Sequence, residues 1–492
     1  MKKLVLSMMI CAALSVGVFT GCTSASTTSA SAEAPSSATA VSIESASLAS
    51  ESEGAPSSSM AAGSAQTQSA DASAPEASGS GAAASSAKAA NVASGSVLDT
   101  SDMFTERDLE QEADTSAAKT IEVSDGQDVS ISEEGVYVLK GTAKEVTVTV
   151  SADDAAKVQL VLDGLNITNS DSPAIYVVSA DKVFVTTADG STNDLSVTGS
   201  FAAIGSETNV DGVIFAKDDI CFSGKGTLTI SSSANGIVGK DDVKFTGGTY
   251  KIDAQNHAIQ GKDSVRVASG TFDLKAAKDG IHAENSDDQT LGYVYIKDGT
   301  FNIQASSDGI EGDAVVQIDG GTFNITSGEG IEGTYVQFNG GTVKIDASDD
   351  GINATSKSTA YDVVLQINGG DITVNMGAGD TDALDANGSL IINGGTVNIT
   401  GQSAFDFDGQ GALNGGTVTV NGEQITELAN SMMGGRGGFG NPSEGFSGKS
   451  AKDFSGEMPE GFSGKGPRGS HGSMGGNSSG SAAAPDTSTQ SA

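Results

Sequence analysis

The stretch SSDGIEGDAVVQIDGGTFNIT, residues 306–326, places two acidic glycine corners around one short alternating strand, and most of it returns at once as SGEGIEGTYVQFNGGTVKID, residues 327–346. Aligned on the Gly-Thr pair, the unit recurs as GTLTI at Gly226, GTYKI at Gly248, GTFDL at Gly270, GTFNI at Gly299 and Gly321, GTVKI at Gly341, GDITV at Gly370, GTVNI at Gly395 and GTVTV at Gly416. A period of about 22 residues, with longer intervals that read as loop insertions, marks a solenoid. Within each unit the apolar residues alternate at period two, as at Phe301 and Ile303 or Val336 and Phe338, and the runs between corners are too short for helices. One such unit cannot close a core by itself, whereas stacked coils can. There is no leucine-rich signature, and a propeller blade needs about 40 residues. The pattern predicts an all-β parallel β-helix, with equivalent positions stacked about 4.8 Å apart.

Outside the regular repeat, GVYVLKG, VTVTV, VQLVLDGLNIT and AIYVVSADKVFVTT keep the alternation with less regular turns, so residues from about 120 to 224 are expected to be the first coils and their cap. The flanks differ in composition. Residues 1–21 have a basic start and a short apolar run ending in TGC, an export signal that resembles a lipoprotein cleavage box with Cys22 as the lipidated residue. Residues 22–100, nearly all Ser, Ala, Thr, Gly and Glu, cannot bury enough apolar surface to fold and are expected to be a tether spanning roughly 50 Å. The β-helix is assigned to residues 101–430, and residues 431–492, rich in Gly, Ser and Phe, are expected to be a disordered tail. The expected location is the outer face of the cell membrane, reached only through the lipid, and a monomer is expected.

The net charge is -37 with no Trp, which disfavours nucleic acid and anionic membrane surfaces as partners and favours divalent cations. With Cys11 in the signal and Cys22 lipidated, Cys221 is the one cysteine left for the fold, so no disulfide framework is available. It lies in phase with apolar strand positions and reads as a small buried hydrophobe.

The series DGVIFAKDDICFSGKGTLTI, NGIVGKDDVKFTGGTYKI, HAIQGKDSVRVASGTFDL and DGIHAENSDDQTLGYVYIKDGTFNI, preceded by GVYVLKGT, resembles the bacterial carbohydrate-binding domain-containing proteins over roughly residues 118–425. The resemblance implies a right-handed parallel β-helix that binds plant cell-wall polysaccharide, pectic or cellulosic, with bound calcium.

The residues themselves point to two candidate sites. Asp279, Asp308, Glu329, Asp350 and Asp382 occupy one corner of successive coils, followed three residues later by His282, Glu311, Glu332, Asn353 and Asp385. Like charges one rung apart repel by roughly 1–4 kcal/mol per pair, so such a ladder calls for a neutralising ion. Hard oxygen ligands at this density suit Ca²⁺, and the candidate ligands are Asp279, Asp308, Glu311, Glu329, Glu332, Asp350, Asp382 and Asp385. For sugar, the alternation turns Tyr293, Tyr295 and Tyr335 outward beside a row formed by Gln317, Gln337 and Gln366, an expected solvent-facing stacking and hydrogen-bonding platform. The Gly-Gly-Thr corners are read as structural, with glycine supplying positive φ. A calcium-dependent polysaccharide lyase is the competing reading, and a surface adhesin or wall-structural protein another. A lyase requires a base in a unique constellation, whereas these carboxylates repeat in every coil, which favours binding without catalysis.

Overall fold

The structure, a computed structural model, describes residues 95–378 and 381–430. Among these, 34 strands and no helix are found. The strands stack in three parallel columns. In the first, the Gly-Thr strands pair Thr227–Ser232 with Thr249–Ala254, then Thr271–Ala276, Thr300–Ala305, Thr322–Ser327 and Thr342–Ala347, in register without slippage. The second aligns Ile237, Ile259, Ile281, Ile310, Ile331, Ile352, Leu384 and Phe405. The third aligns Val243, Val265, Val294, Val316, Val336, Leu365 and Leu390. This is the parallel β-helix that the repeat predicts.

Because the register is parallel, each side chain lies on its own counterpart one coil away, and the interior becomes a set of ladders. Phe301 stacks on Phe272 at 4.7 Å and on Phe323 at 4.6 Å, with ring planes within 3°. The corners follow the same rule. Gly321 and Gly341 have φ of 101° and 93°, which a side chain would strain, as the Gly-Gly-Thr spacing predicts. The residue before each glycine pair builds a hydrogen-bonded ladder: Asn368 Nδ2 donates to Asn339 Oδ1, Asn393 to Asn368 and Asn414 to Asn393, each at 2.8 Å. At the C-terminal end, Glu423–Ile425 turns back antiparallel on Thr417–Val420 and covers the last edge.

Two features depart from the simple coil. The longer intervals are insertions, around residues 284–292 and 355–363, and they clasp each other: Ser358 Oγ donates to Gln289 O at 2.6 Å, and Thr359 N to Gln289 Oε1 at 3.1 Å. The second departure is a strap. Residues 95–112 run over the outer face of the third column, against the direction in which the coils progress. Gly95 O accepts from Gln337 Nε2 at 2.9 Å, and Leu98 N donates to Gln317 Oε1 at 2.9 Å. Farther along, Phe104 faces Tyr295 at 6.3 Å, and Arg107 lies over the Phe184 ring at 4.4 Å. Residues 95–100, expected to be tether, are therefore part of the folded body. Cys221 is fully buried beneath the strap, with its Sγ 3.7 Å from Asp108 O and its thiol pushed up to about 12, first by burial, so it is the inert hydrophobe that its phase predicts.

Candidate metal centre and glycan face

The acid column is produced by a local bend in the second sheet. A Cβ on Gly309 would meet Ile325 Cγ2 at 2.4 Å, so this glycine points into the core and needs no positive φ. Gly280 and Gly330 are hemmed in likewise by Ile303 and Ile345. With Gly309 and Ile310 both turned inward, Asp308 and Glu311 lie outside together although three residues apart. Register then aligns Asp308 with Glu329, and His282 with Glu311, Glu332, Asn353 and Asp385.

Along this column two trios of carboxylates converge with their oxygens within 4.8 Å of one another, Asp279, Asp308 and Glu311, then Asp308, Glu329 and Glu332; a third, Asp219, Asp241 and Asp242, lies elsewhere. The two trios of the column are mostly buried, and the electrostatics show the cost. Burial, reinforced by Asp279, Glu311, Glu332 and Glu329, pushes the Asp308 carboxyl up to about 8. Burial and Glu332 push Glu329 up to about 7. Asn353 donates to Glu329 Oε2 at 3.1 Å, yet its own Oδ1 is buried without a donor. An orphaned amide oxygen beside a surplus of carboxylate oxygens is a donor set for a hard cation of the Ca²⁺ type. Asp350, Asp382 and Asp385 continue the columns, with Asp385 pushed up to about 7 by burial and by Asp350, Asp406 and Asp382. Among the described residues they join no convergent trio, so of the candidate ligands read from the sequence the structure brings together Asp279, Asp308, Glu311, Glu329 and Glu332.

Lys357, absent from that reading, reaches the same column. The second insertion carries it there: Lys357 N donates to Thr334 Oγ1 at 3.0 Å, and Nζ pairs with Glu311 and Glu332. Burial works against its charge, but the two carboxylates prevail and hold it firmly protonated. His257 is the other omission. It stands two residues before Ile259, as Asp279 stands two before Ile281, which the alignment of sequence units could have shown.

The tyrosine platform needs correction. Tyr293, Tyr295 and Tyr335 do point away from the coil interior, and Tyr293 and Tyr335 share a column two rungs apart. Two of them do not face solvent, and Tyr335 is half-buried. Tyr293 and Tyr295 are 7% and 3% exposed beneath Leu98, Met103 and Phe104, and Gln317, Gln337 and Gln366 are wholly buried. The strap takes up hydrogen bonds of Gln317, Gln337 and Tyr293, while Tyr295 donates to Asp319 and Tyr335 is engaged with Gln366. An open groove lies instead on the outer face of the Gly-Thr sheet, its mixed lining made of Ala305, Ala347 and Met376 with Thr326, Asp346 and Asn375 among others. Its Ser327–Gly328 edge adjoins Glu329 of the acid column. Cys22, the expected lipidation site, lies outside the described residues.

A parallel β-helix bearing a buried, oxygen-rich acid column defines a class of solenoid, and comparison with known proteins identifies its family. A sequence profile of the carbohydrate-binding domain-containing proteins matches residues 125–383, just over half of the chain, and the chain belongs to that family. A carbohydrate-binding domain-containing protein of Acetivibrio thermocellus is 36% identical over 124 residues, which are 25% of this chain and 43% of that protein; the match thus spans less than half of the relative. A solved structure described as the polysaccharide lyase-like protein from C. thermocellum, gadolinium derivative, is similar at 31% identity and a TM-score of 0.40, over 46% of this chain and 93% of its own.

Proposed function

We propose that the chain is a non-catalytic, calcium-dependent binder of acidic plant cell-wall polysaccharide, pectic before cellulosic, held outside the cytoplasmic membrane by a lipid on Cys22. The observation that carries this reading is the buried carboxylate column, whose like charges exceed what Lys357 and His282 neutralise. A Ca²⁺ ion held there would use Asp308, Glu311, Glu329, Glu332 and the orphaned Asn353 oxygen. For a chain with net charge -37, such an ion is also the means of holding a uronate, which the protein would otherwise repel. The adjoining groove offers hydroxyl and amide groups to sugar hydroxyls, and the loss of the tyrosine platform weakens the case for a neutral glucan.

The lyase alternative requires a neutral base beside the metal. Lys357 is held protonated by Glu311 and Glu332, and Arg266 is committed to Asp242 at 2.8 Å with Tyr293 under its guanidinium. Retention of polygalacturonate and cellulose by the full chain, with Ca²⁺ and with chelator, tests the reading. Polygalacturonate is expected to bind only with Ca²⁺ and to yield no unsaturated products. Metal-independent retention would sink the calcium bridge, and unsaturated oligosaccharides would establish the lyase. The anchor has its own check: Cys22→Ser is expected to release the protein into the medium or leave an unprocessed precursor, and wild-type fractionation of the variant would refute it.

A further inference from the structure

We propose that His257, Asp279 and His282 form a separate site for a borderline divalent metal of the Zn²⁺ type at the N-terminal end of the acid column. The two imidazoles come from successive coils and stack at 4.4 Å with an interplanar angle of 26°. Both present Nδ1 to one carboxylate oxygen, at 2.8 Å from His257 and 3.1 Å from His282 to Asp279 Oδ2. The three ligand atoms lie within 4.8 Å of one another. Tetrahedral ligands at Zn²⁺ bond lengths stand about 3.3 Å apart, so the two distances to Asp279 would need only small shifts to admit the ion.

Two further observations point to a ligand. His257 is nine-tenths buried, and its Nδ1, although close to Asp279, makes no aligned hydrogen bond. His282 has Glu284 Oε2 at 3.5 Å from Nε2, an outer carboxylate that would hold the Nε2 proton once Nδ1 ligates the ion. Glu311 Oε2, 2.7 Å from His282 Nδ1, stands between the two sites, and a water can supply the fourth position. Imidazole nitrogens select borderline ions, whereas the neighbouring trio of Asp308, Glu329 and Glu332 offers only hard oxygen. One column thus changes its metal preference along its length, and the nitrogen end ties consecutive coils together. The rival occupant is a proton, which would leave the histidines as imidazolium partners of Asp279 and Glu311.

The chain has three histidines, His257, His282 and His471, so imidazole NMR signals can be followed one by one. In the full chain, with millimolar Ca²⁺ present to fill the oxygen-only sites, one equivalent of Zn²⁺ is expected to move the His257 and His282 signals and spare His471. His257→Gln and His282→Gln are each expected to weaken Zn²⁺ at least about tenfold, and Glu329→Gln to leave it unchanged. Displacement of Zn²⁺ by Ca²⁺ at comparable concentration, equal affinity in the histidine variants, or Zn²⁺ shifts confined to His471 would each overturn the site. If a histidine variant fails to fold, the titration of the unaltered chain decides alone. Failure here leaves the calcium reading intact, because that reading uses neither imidazole.

Discussion

The melting temperature of the metal-free protein is expected to fall as pH rises from about 5 to about 8, and Ca²⁺ is expected to abolish most of that fall. Burial and mutual repulsion place Asp308 at about 8 and Glu329 and Asp385 at about 7, against ordinary values of 3.8 for Asp and 4.5 for Glu. The folded state therefore binds more protons than the unfolded state across this window, and stability declines with rising pH. His282 acts in the same direction. Burial would lower it, but Asp279 and Glu311 raise it from 6.5 to about 10, and the stability it confers is lost as pH climbs through that range. Asp279 and Glu311 are opposed by burial yet held low, Asp279 by His257 and His282, Glu311 by His282 and Lys357; their contribution is lost only in acid, below this window.

Calcium replaces protons as the neutralising charge, so its benefit should grow with pH. A hundredfold excess over Kd contributes about 2.7 kcal/mol, or roughly 4 °C for a domain of this size. Asp308→Asn and Glu329→Gln should flatten the metal-free pH slope and shrink the calcium increment. Lys357→Met should lower the metal-free melting temperature yet enlarge that increment, since it strips Glu311 and Glu332 of their ammonium partner. Superimposable melts with Ca²⁺ and with chelator at pH 8 would remove the calcium site.

Truncating the strap contact is expected to cost stability rather than sugar affinity. Tyr295 is 3% exposed, packs against Phe104 and donates to Asp319 Oδ2 at 2.9 Å, so Tyr295→Ala removes a buried ring and leaves that acceptor without its donor. A loss of about 3 kcal/mol follows from the usual cost of deleting a buried aromatic side chain. Gln337→Ala should also destabilise, because Val97 N at 3.0 Å and Gly95 O at 2.9 Å lose their partner together. Denaturant midpoints read both effects. An unchanged midpoint for Tyr295→Ala would mean that the strap is not seated in solution, and the tyrosines would return as a candidate sugar platform.

The one-dimensional repeat explains how much of this molecule was legible beforehand. In a parallel solenoid, residues one period apart in the chain are neighbours in space, so alignment of the sequence units gives the register directly. The stacked Phe272, Phe301 and Phe323, the positive-φ glycines and the neighbouring Asp308 and Glu329 all follow from that single rule. The rule also gives the direction of each side chain, inward or outward, and that much is right for Tyr293 and Tyr335.

What lies on the outer surface obeys no period. The strap bonds span 219 to 242 residues between Gly95–Leu98 and Gln317–Gln337, and Lys357 reaches Glu311 from 46 residues away. Those contacts depend on how two irregular insertions and an N-terminal segment fold back over the coils. Only the tertiary structure could decide that Tyr293 and Tyr295 are covered and that a lysine enters the acid column. The sequence by itself determined the coil, its core ladders and the existence of an acid column, because these arise from contacts one turn apart; which outward face remains open was decided by segments whose partners lie many turns away.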